Sequence, residues 1–283
     1  MIDLKFESDS GVIRMGGADF FGLKILEVTG LGFLTPERTK KTYNGSYGSR
    51  TTNRHIPERS ITISGEINSE CLNRTKAKGD IIKAAREPGV LTVNTGIKKR
   101  HIKAEVDKLS FDTKNPLVQM FTLQFLCEEG LFYSDEESRT ISTVTKNIYG
   151  TFTLPRVLSY RYNTLTVFNA GDYPIEPVIR IYDIGEKNTE EYSDSIIIKN
   201  NTTGSFVHLT KTTEEGEVIT VDIAERRINS NLTENDLYCF SDDTVLSDFV
   251  FEKGETEFEV INNTNREISC FLEYKELYGE CEL

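Results

Sequence analysis

Apolar and polar side chains alternate with a period of two through most of this chain, in runs too short for helices. In the first half the runs are Leu23–Val28, Ser60–Ile67, Gly89–Val93 and Met120–Leu126. In the second they are Thr164–Phe168, Pro177–Tyr182, Ser195–Lys199, Glu217–Asp222 and Glu257–Ile261. They are rich in β-branched and aromatic residues and punctuated by Gly, Asn and Asp, as expected of strands joined by tight turns. Several such strands in each half predict a mainly β fold of sandwiches or barrels.

One stretch breaks the pattern. Glu70–Arg86 is rich in helix formers and ends at Glu87-Pro88-Gly89, a stop signal. Leu72, Ile81, Ile82, Ala84 and Ala85 supply an apolar stripe. Gly79-Asp80 offers a break, after which Asp80 would cap a shorter helix over 81–86. Either version sets one helix against an otherwise β domain.

A chain of 283 residues exceeds the usual ~100–200 of a single domain, so two are expected. The charge distribution agrees. Residues 1–135 carry 20 Lys and Arg against 17 Asp and Glu, whereas residues 136–283 carry 13 against 28. The charged break Ser134–Arg139 lies at this change, which predicts domains over 1–135 and 136–270 with different surroundings. The acidic half would repel phosphates, so no direct nucleic-acid binding is expected. No apolar run approaches the ~20 residues of a membrane span, so no membrane partner is expected either. The stretch Met1–Gly11 already carries Asp3, Glu7 and Asp9 and does not read as a secretory leader.

Residues that might carry chemistry are sparse. Cys71, Cys127, Cys239, Cys270 and Cys281 are odd in number and widely spaced, with no CxxC pair. Reduced, mostly buried thiols made in a cytosol are expected, rather than disulfides or a zinc site. His55, His101 and His208 are the only histidines, and none stands at metal-ligand spacing from another. No nucleophile elbow, zinc-protease helix, phosphate loop or dinucleotide fingerprint occurs. Asp172, Asp183, Asp194 and Asp222 mostly neighbour Gly, Asn or Ser, where turn formation explains them; spacing along the chain does not reveal a carboxylate pair facing across a cleft. The block Lys98–Lys103 reads first as a phosphate patch, but its strand-like flanks suit a solvated edge whose cations discourage unwanted pairing. No catalytic residue, metal or cofactor is therefore expected.

The segment Pro36–Pro57 differs from everything around it. It is polar and basic, with Lys40, Lys41, Arg50 and Arg54, and Arg59 just beyond, interleaved with Tyr43 and Tyr47. Asn44-Gly45 is a two-residue hairpin signal. With almost no aliphatic side chain the segment lacks the means to anchor itself in a core. It is either a loose loop or an arm that docks on a neighbour.

Several stretches, taken in order, resemble a known family. Leu31-Gly-Phe-Leu-Thr-Pro36 precedes the basic segment; Arg59–Ile67, Pro88–Val93 and Lys99–Ile102 follow, and then Gln124–Ser134. That order is similar to the first half of the distal tail proteins of long-tailed, non-contractile phages, the siphovirus-type tail component family. The family's F-x-C-x-x-P-x-F-Y block is matched by Cys127, Phe132 and Tyr133, with Gly130 in place of the proline. In the second half, Phe168–Ile181 resembles an N-x-G entry strand, Asn200–Gly204 an N-x-T-T-G turn, and Glu217–Asp222 an E-x-I-x-I-D strand. Phe251–Val260 is similar to the closing strand, with Thr256 where Asn is common.

The resemblance implies a non-enzymatic structural protein of the virion tail tip, assembled in the host bacterial cytoplasm. N-terminal β domains would form a hexameric homo-oligomeric ring, with the hairpin arm (Lys40, Lys41, Tyr43, Tyr47, Arg50, Arg54, Arg59) reaching over the next subunit. The C-terminal domain would be a galectin-like β-sandwich, and residues 271–283 would return to complete the ring domain. The partners implied are the tail tube protein and the tail-associated hub protein. Three alternatives use the same residues differently: a carbohydrate-binding module that recognises host cell-wall sugar through the second sandwich, a cell-wall hydrolase, which needs a paired-carboxylate cleft that the sequence does not display, and a ring protein of a contractile tail or a tail-derived bacteriocin.

Overall fold

The computed structural model describes residues 2–16, 22–41, 50–67, 74–112, 119–135, 137–142, 164–186, 192–232 and 237–281; at 41, 50–54, 137–142 and 237 it describes the backbone alone. The chain divides into two compact units, Met1–Asp135 with Leu277–Leu283, and Glu136–Glu276. Both are built almost wholly of antiparallel strands, so the fold is mainly β.

The first unit contains β1 (Asp3–Ser8), β2 (Gly11–Gly16), β3 (Leu23–Thr29), β4 (Glu37–Lys41), β5 (Arg50–His55) and β6 (Arg59–Ile67). After α1 (Arg74–Ala84) come β7 (Gly89–Asn94), β8 (Lys99–Asp112), β9 (Gln119–Cys127) and β10 (Phe132–Tyr133). Seven strands follow one hydrogen-bonded path, β2-β1-β7-β8-β9-β6-β3. The long strand β8 gives residues 99–104 to β7 and 105–112 to β9, with a register shift after Val106. Phe6 on β1 and Phe125 on β9 are separated by two strands along that path, yet their rings meet at 5.0 Å. The sheet therefore folds over on itself, and alternate residues such as Leu91, Val93 and Ile102 share one core with Ile61, Ile63 and Leu123.

The helix ends at Ala84, two residues before the expected Arg86, and runs unbroken through Gly79; residues 70–73 lie outside the described ones. Ala77, Ile81 and Ala84 are buried at helical spacing, while Ile82, expected in the apolar stripe, is 43 % exposed. The helix C-terminus is tied to the β1–β2 turn, where Ser8 Oγ donates to Ala84 O at 2.9 Å.

The second unit contains β11 (Glu137–Ser142), β12 (Thr164–Asn169), β13 (Val178–Glu186), β14 (Ile196–Asn200), β15 (Phe206–Leu209), β16 (Val218–Asp222), β17 (Arg227–Ser230), β18 (Gly254–Asn262) and β19 (Arg266–Tyr274). They form two sheets, β11-β19-β13-β16-β17 and β12-β18-β14-β15, whose inward residues share one core. Two asparagines of the sequence motifs are buried fastenings. Asn169 Nδ2 donates to Tyr173 O and Phe251 O while its Oδ1 accepts from Gly171 N. Asn200 Nδ2 donates to Val250 O and its Oδ1 accepts from Thr202 N and Thr203 N, closing the N-x-T-T-G turn. Beyond β19 the chain returns to the first unit as β20 (Leu277–Tyr278), which pairs with β10, whereas residues 271–276, expected to return with it, belong to the second unit. Among the described residues no helix is long and apolar enough to cross a membrane.

Candidate functional site

The polar segment is a two-stranded ribbon. β4 and β5 pair antiparallel with each other and with no other described strand. The register places Glu37 opposite His55, Arg38 opposite Arg54 and Lys41 opposite Arg50, with a shift between Thr39 and Lys40. Two of these pairs are cation against cation, an arrangement that destabilises a hairpin standing alone. At the root of the ribbon Glu37 Oε2 lies 3.3 Å from His55 Nε2. Residues 37–40 are exposed. Of the arm residues read from the sequence, Lys40 and Lys41 lie on β4, and Arg50 and Arg54 on β5; Tyr43, Tyr47 and the Asn44-Gly45 turn lie outside the described residues.

Arg59 stands apart from the arm, contrary to the sequence reading. It opens β6 and is 1 % exposed. Its Nε donates to Gly130 O at 2.9 Å, its Nη1 to Gly30 O at 2.6 Å and Gly32 O at 2.7 Å, and its Nη2 to Gly279 O at 2.6 Å. The guanidinium also lies over the Phe132 ring, 4.6 Å from its centroid. A planar fork of five donors suits such a convergence of carbonyls. One buried cation thus joins the strand after the arm (Arg59), the loop before it (Gly30 and Gly32), the Gly130 turn and the returning segment. Gly130 has φ +68°, its N–H donates to Cys127 O, and a Cβ there would come within 2.3 Å of Pro57 O. A proline would have neither that φ nor that N–H, which accounts for the departure from the family block.

The returning segment is held at further points. Arg100 stacks 3.5 Å from the Tyr278 ring centroid and donates to Glu280 O. Cys281 N–H donates to Leu31 O at 2.9 Å, and Cys281 is fully buried.

The basic block Lys98–Lys103 is not on an edge. β8 lies between β7 and β10, the latter through Tyr133 opposite His101. Lys99 pairs with Asp135 at 2.9 Å and Lys103 with Glu129 at 2.6 Å. His101 spans Thr92 Oγ1 and Asp135 Oδ1, each at 2.9 Å, and stacks on Tyr133. Lys99 and then His101 hold the Asp135 carboxyl below its ordinary pKa. Both lysines are committed to carboxylates of their own unit.

In the second unit His208 Nε2 lies 3.1 Å from Ser195 Oγ, and its Nδ1 lies 3.6 Å from Asp243 Oδ1. The order of groups is that of a hydrolase triad, but the geometry is not. The Asp243 side chain is 59 % exposed and its distance exceeds a hydrogen bond, whereas a triad aspartate is buried and aligned. Among the described residues no cluster of His, Cys, Asp and Glu is placed to hold a metal. Cys127, Cys239, Cys270 and Cys281 are buried and form no disulfide.

The fold is similar to that of a solved phage protein. The chain is similar to SPP1 Dit (gp 19.1), a paradigm of the hub adsorption apparatus in phages infecting Gram-positive hosts, with 13 % identity, a TM-score of 0.67, and coverage of 98 % of this chain and 99 % of that one. The phage P2 baseplate in its activated conformation with Ca aligns with 14 % identity over 96 % of this chain and 98 % of that one, at a TM-score of 0.49. No curated protein matches the sequence. Residues 170–278 match the siphovirus-type tail component, C-terminal domain, in line with the resemblance read from the motifs of the second half.

Proposed function

We propose that this chain is a structural hub subunit of a phage tail tip. Its first units assemble into a hexameric ring that joins the tail tube protein to the tail-associated hub protein. The β4–β5 ribbon carries this reading. A lone two-stranded ribbon is marginal in water, and this one sets like charges across its register. Pairing its backbone and cations with a neighbouring subunit offsets both costs, as in strand addition. Repeated head-to-tail contacts whose rotation closes give a ring. The second unit, a galectin-like sandwich in this reading, supplies a peripheral mounting surface. The fold shared with SPP1 Dit and the tail-component domain at 170–278 support the assignment.

Mass determination in solution tests it. The full chain should form a hexamer of 32.1-kDa subunits, and a variant with residues 37–55 replaced by a short Gly-Ser bridge should be a folded monomer. A full chain that stays monomeric up to its solubility limit, alone and mixed with the tail tube protein, overturns the reading.

A further inference from the structure

We infer that residues 277–281 are a latch on the β4–β5 ribbon. Seated, they fix both of its feet; lifted, they free the feet while the sheet beside them stays folded. The latch lies wholly within the first unit, and only its consequence for assembly rests on the ring reading above.

The ribbon pairs with no other described strand, so its feet determine where it points. Residues 30–36 form the foot that leads into β4, and residues 56–59 the foot that leaves β5. Arg59 ties one to the other, because Gly30 O and Gly32 O lie on the first foot and the guanidinium on the second. The latch reaches both. Gly279 O accepts from Arg59 Nη2 at 2.6 Å, and Cys281 N–H donates at 2.9 Å to Leu31 O, between the two carbonyls that Arg59 holds. The successive carbonyls of Gly30, Leu31 and Gly32 are thus shared between Arg59 and the latch.

The latch has a slender hold of its own. Its ladder with β10 is two residues long, whereas β6 pairs with β9 along all of Arg59–Ile67. The stack of Arg100 on Tyr278, the Arg100 bond to Glu280 O and the buried Cys281 side chain add to that ladder. Short ladders open locally at a lower cost than the long strands beside them. When this one opens, Gly279 leaves the guanidinium and water enters in its place. Hydrogen bonds to a charged group are worth more in a dry site than where water competes, so the grip of Arg59 on Gly30 and Gly32 weakens with it.

Hydrogen exchange with peptide mass mapping tests the latch in the full-length chain, at a dilution where mass determination finds monomers. Cys281→Asp sets a charge in a fully buried site and unseats the latch. Amides at 30–35 and 56–59 should then exchange at least about tenfold faster than in the wild type, the loss of one charge-assisted bond, with 91–93 and 123–125 protected as before. Arg100→Ala, which removes the stack and the bond to Glu280 O, should shift the same amides by less, and it decides the matter if Cys281→Asp does not fold. Unchanged exchange at both feet overturns the latch. So does an equal rise in feet and core, which would make 277–281 an ordinary part of the sheet. A wild type that forms no hexamer when concentrated defeats the ring reading and leaves the exchange result standing.

Discussion

Arg59 Nη2 donates to Gly279 O at 2.6 Å across 220 positions of sequence, so the strand after the arm is fastened by a segment that follows the whole second unit. Around this bond the same guanidinium satisfies Gly30, Gly32 and Gly130, and losing it would leave buried carbonyls without that donor.

Arg59→Met should therefore cost about 3–5 kcal/mol in urea unfolding of the first unit, the range for breaking a buried charged network. Arg59→Lys should recover little, because an ammonium does not reproduce the planar fork. A loss below 1 kcal/mol, roughly the worth of a surface pair, would show that the carbonyls find other donors.

At Gly130 the backbone lies in the left-handed region and the space above it is filled by Pro57 O. Gly130→Ala should destabilise by about 1–3 kcal/mol through strain and crowding, read as a lowered denaturation midpoint. Gly96→Ala makes a control: it too has positive φ but open space around it, so its loss should be smaller.

Burial pushes the thiols of Cys127 and Cys270 up to about 12, against an opposing pull from Arg59 in the case of Cys127. Both should stay unmodified by iodoacetamide in the native protein at pH 8 and react only after unfolding, as peptide mass mapping would show. Unfolding ionises these thiols at their ordinary pKa, so their contribution to stability is complete below about pH 8.5 and declines above it.

Glu217 is buried in the second unit. Burial raises its pKa, but Lys211 Nζ at 2.5 Å, Ser230 Oγ at 2.6 Å and Glu214 N–H at 2.9 Å outweigh that and leave the carboxyl below its ordinary value. A lowered folded pKa gives stability that is present above about pH 4.3 and lost as pH falls through the lower folded value. The thermal midpoint of the wild type should exceed that of Glu217→Gln at pH 7, and the gap should narrow toward pH 3. A gap that stays constant would show that the carboxylate charge contributes nothing.

The nine strands read from alternation are all present, because a strand with one buried face records its pairing in its own residues. Arg59 was legible by the same rule: it has the parity of Ile61 and Ile63, both buried, but its charge argued for solvent. What local pattern does not record is which distant segment lies alongside. β8 reads as an edge because its outer neighbour, β10, is two residues long and is itself completed by β20 from the far end of the sequence. The burial of Asn169 and Asn200 was visible only as motif membership, since asparagine marks exposed turns more often than internal fastenings.

The return of residues 277–281 sets an order on synthesis. A ribosome must make all of the second sandwich before it releases the stretch that holds Arg59 and covers Leu31. Until then the first unit exists as an unsealed half-product, with the foot of its ribbon not yet braced. The brace at the foot of the ribbon is in this way confined to chains whose translation has already passed both units.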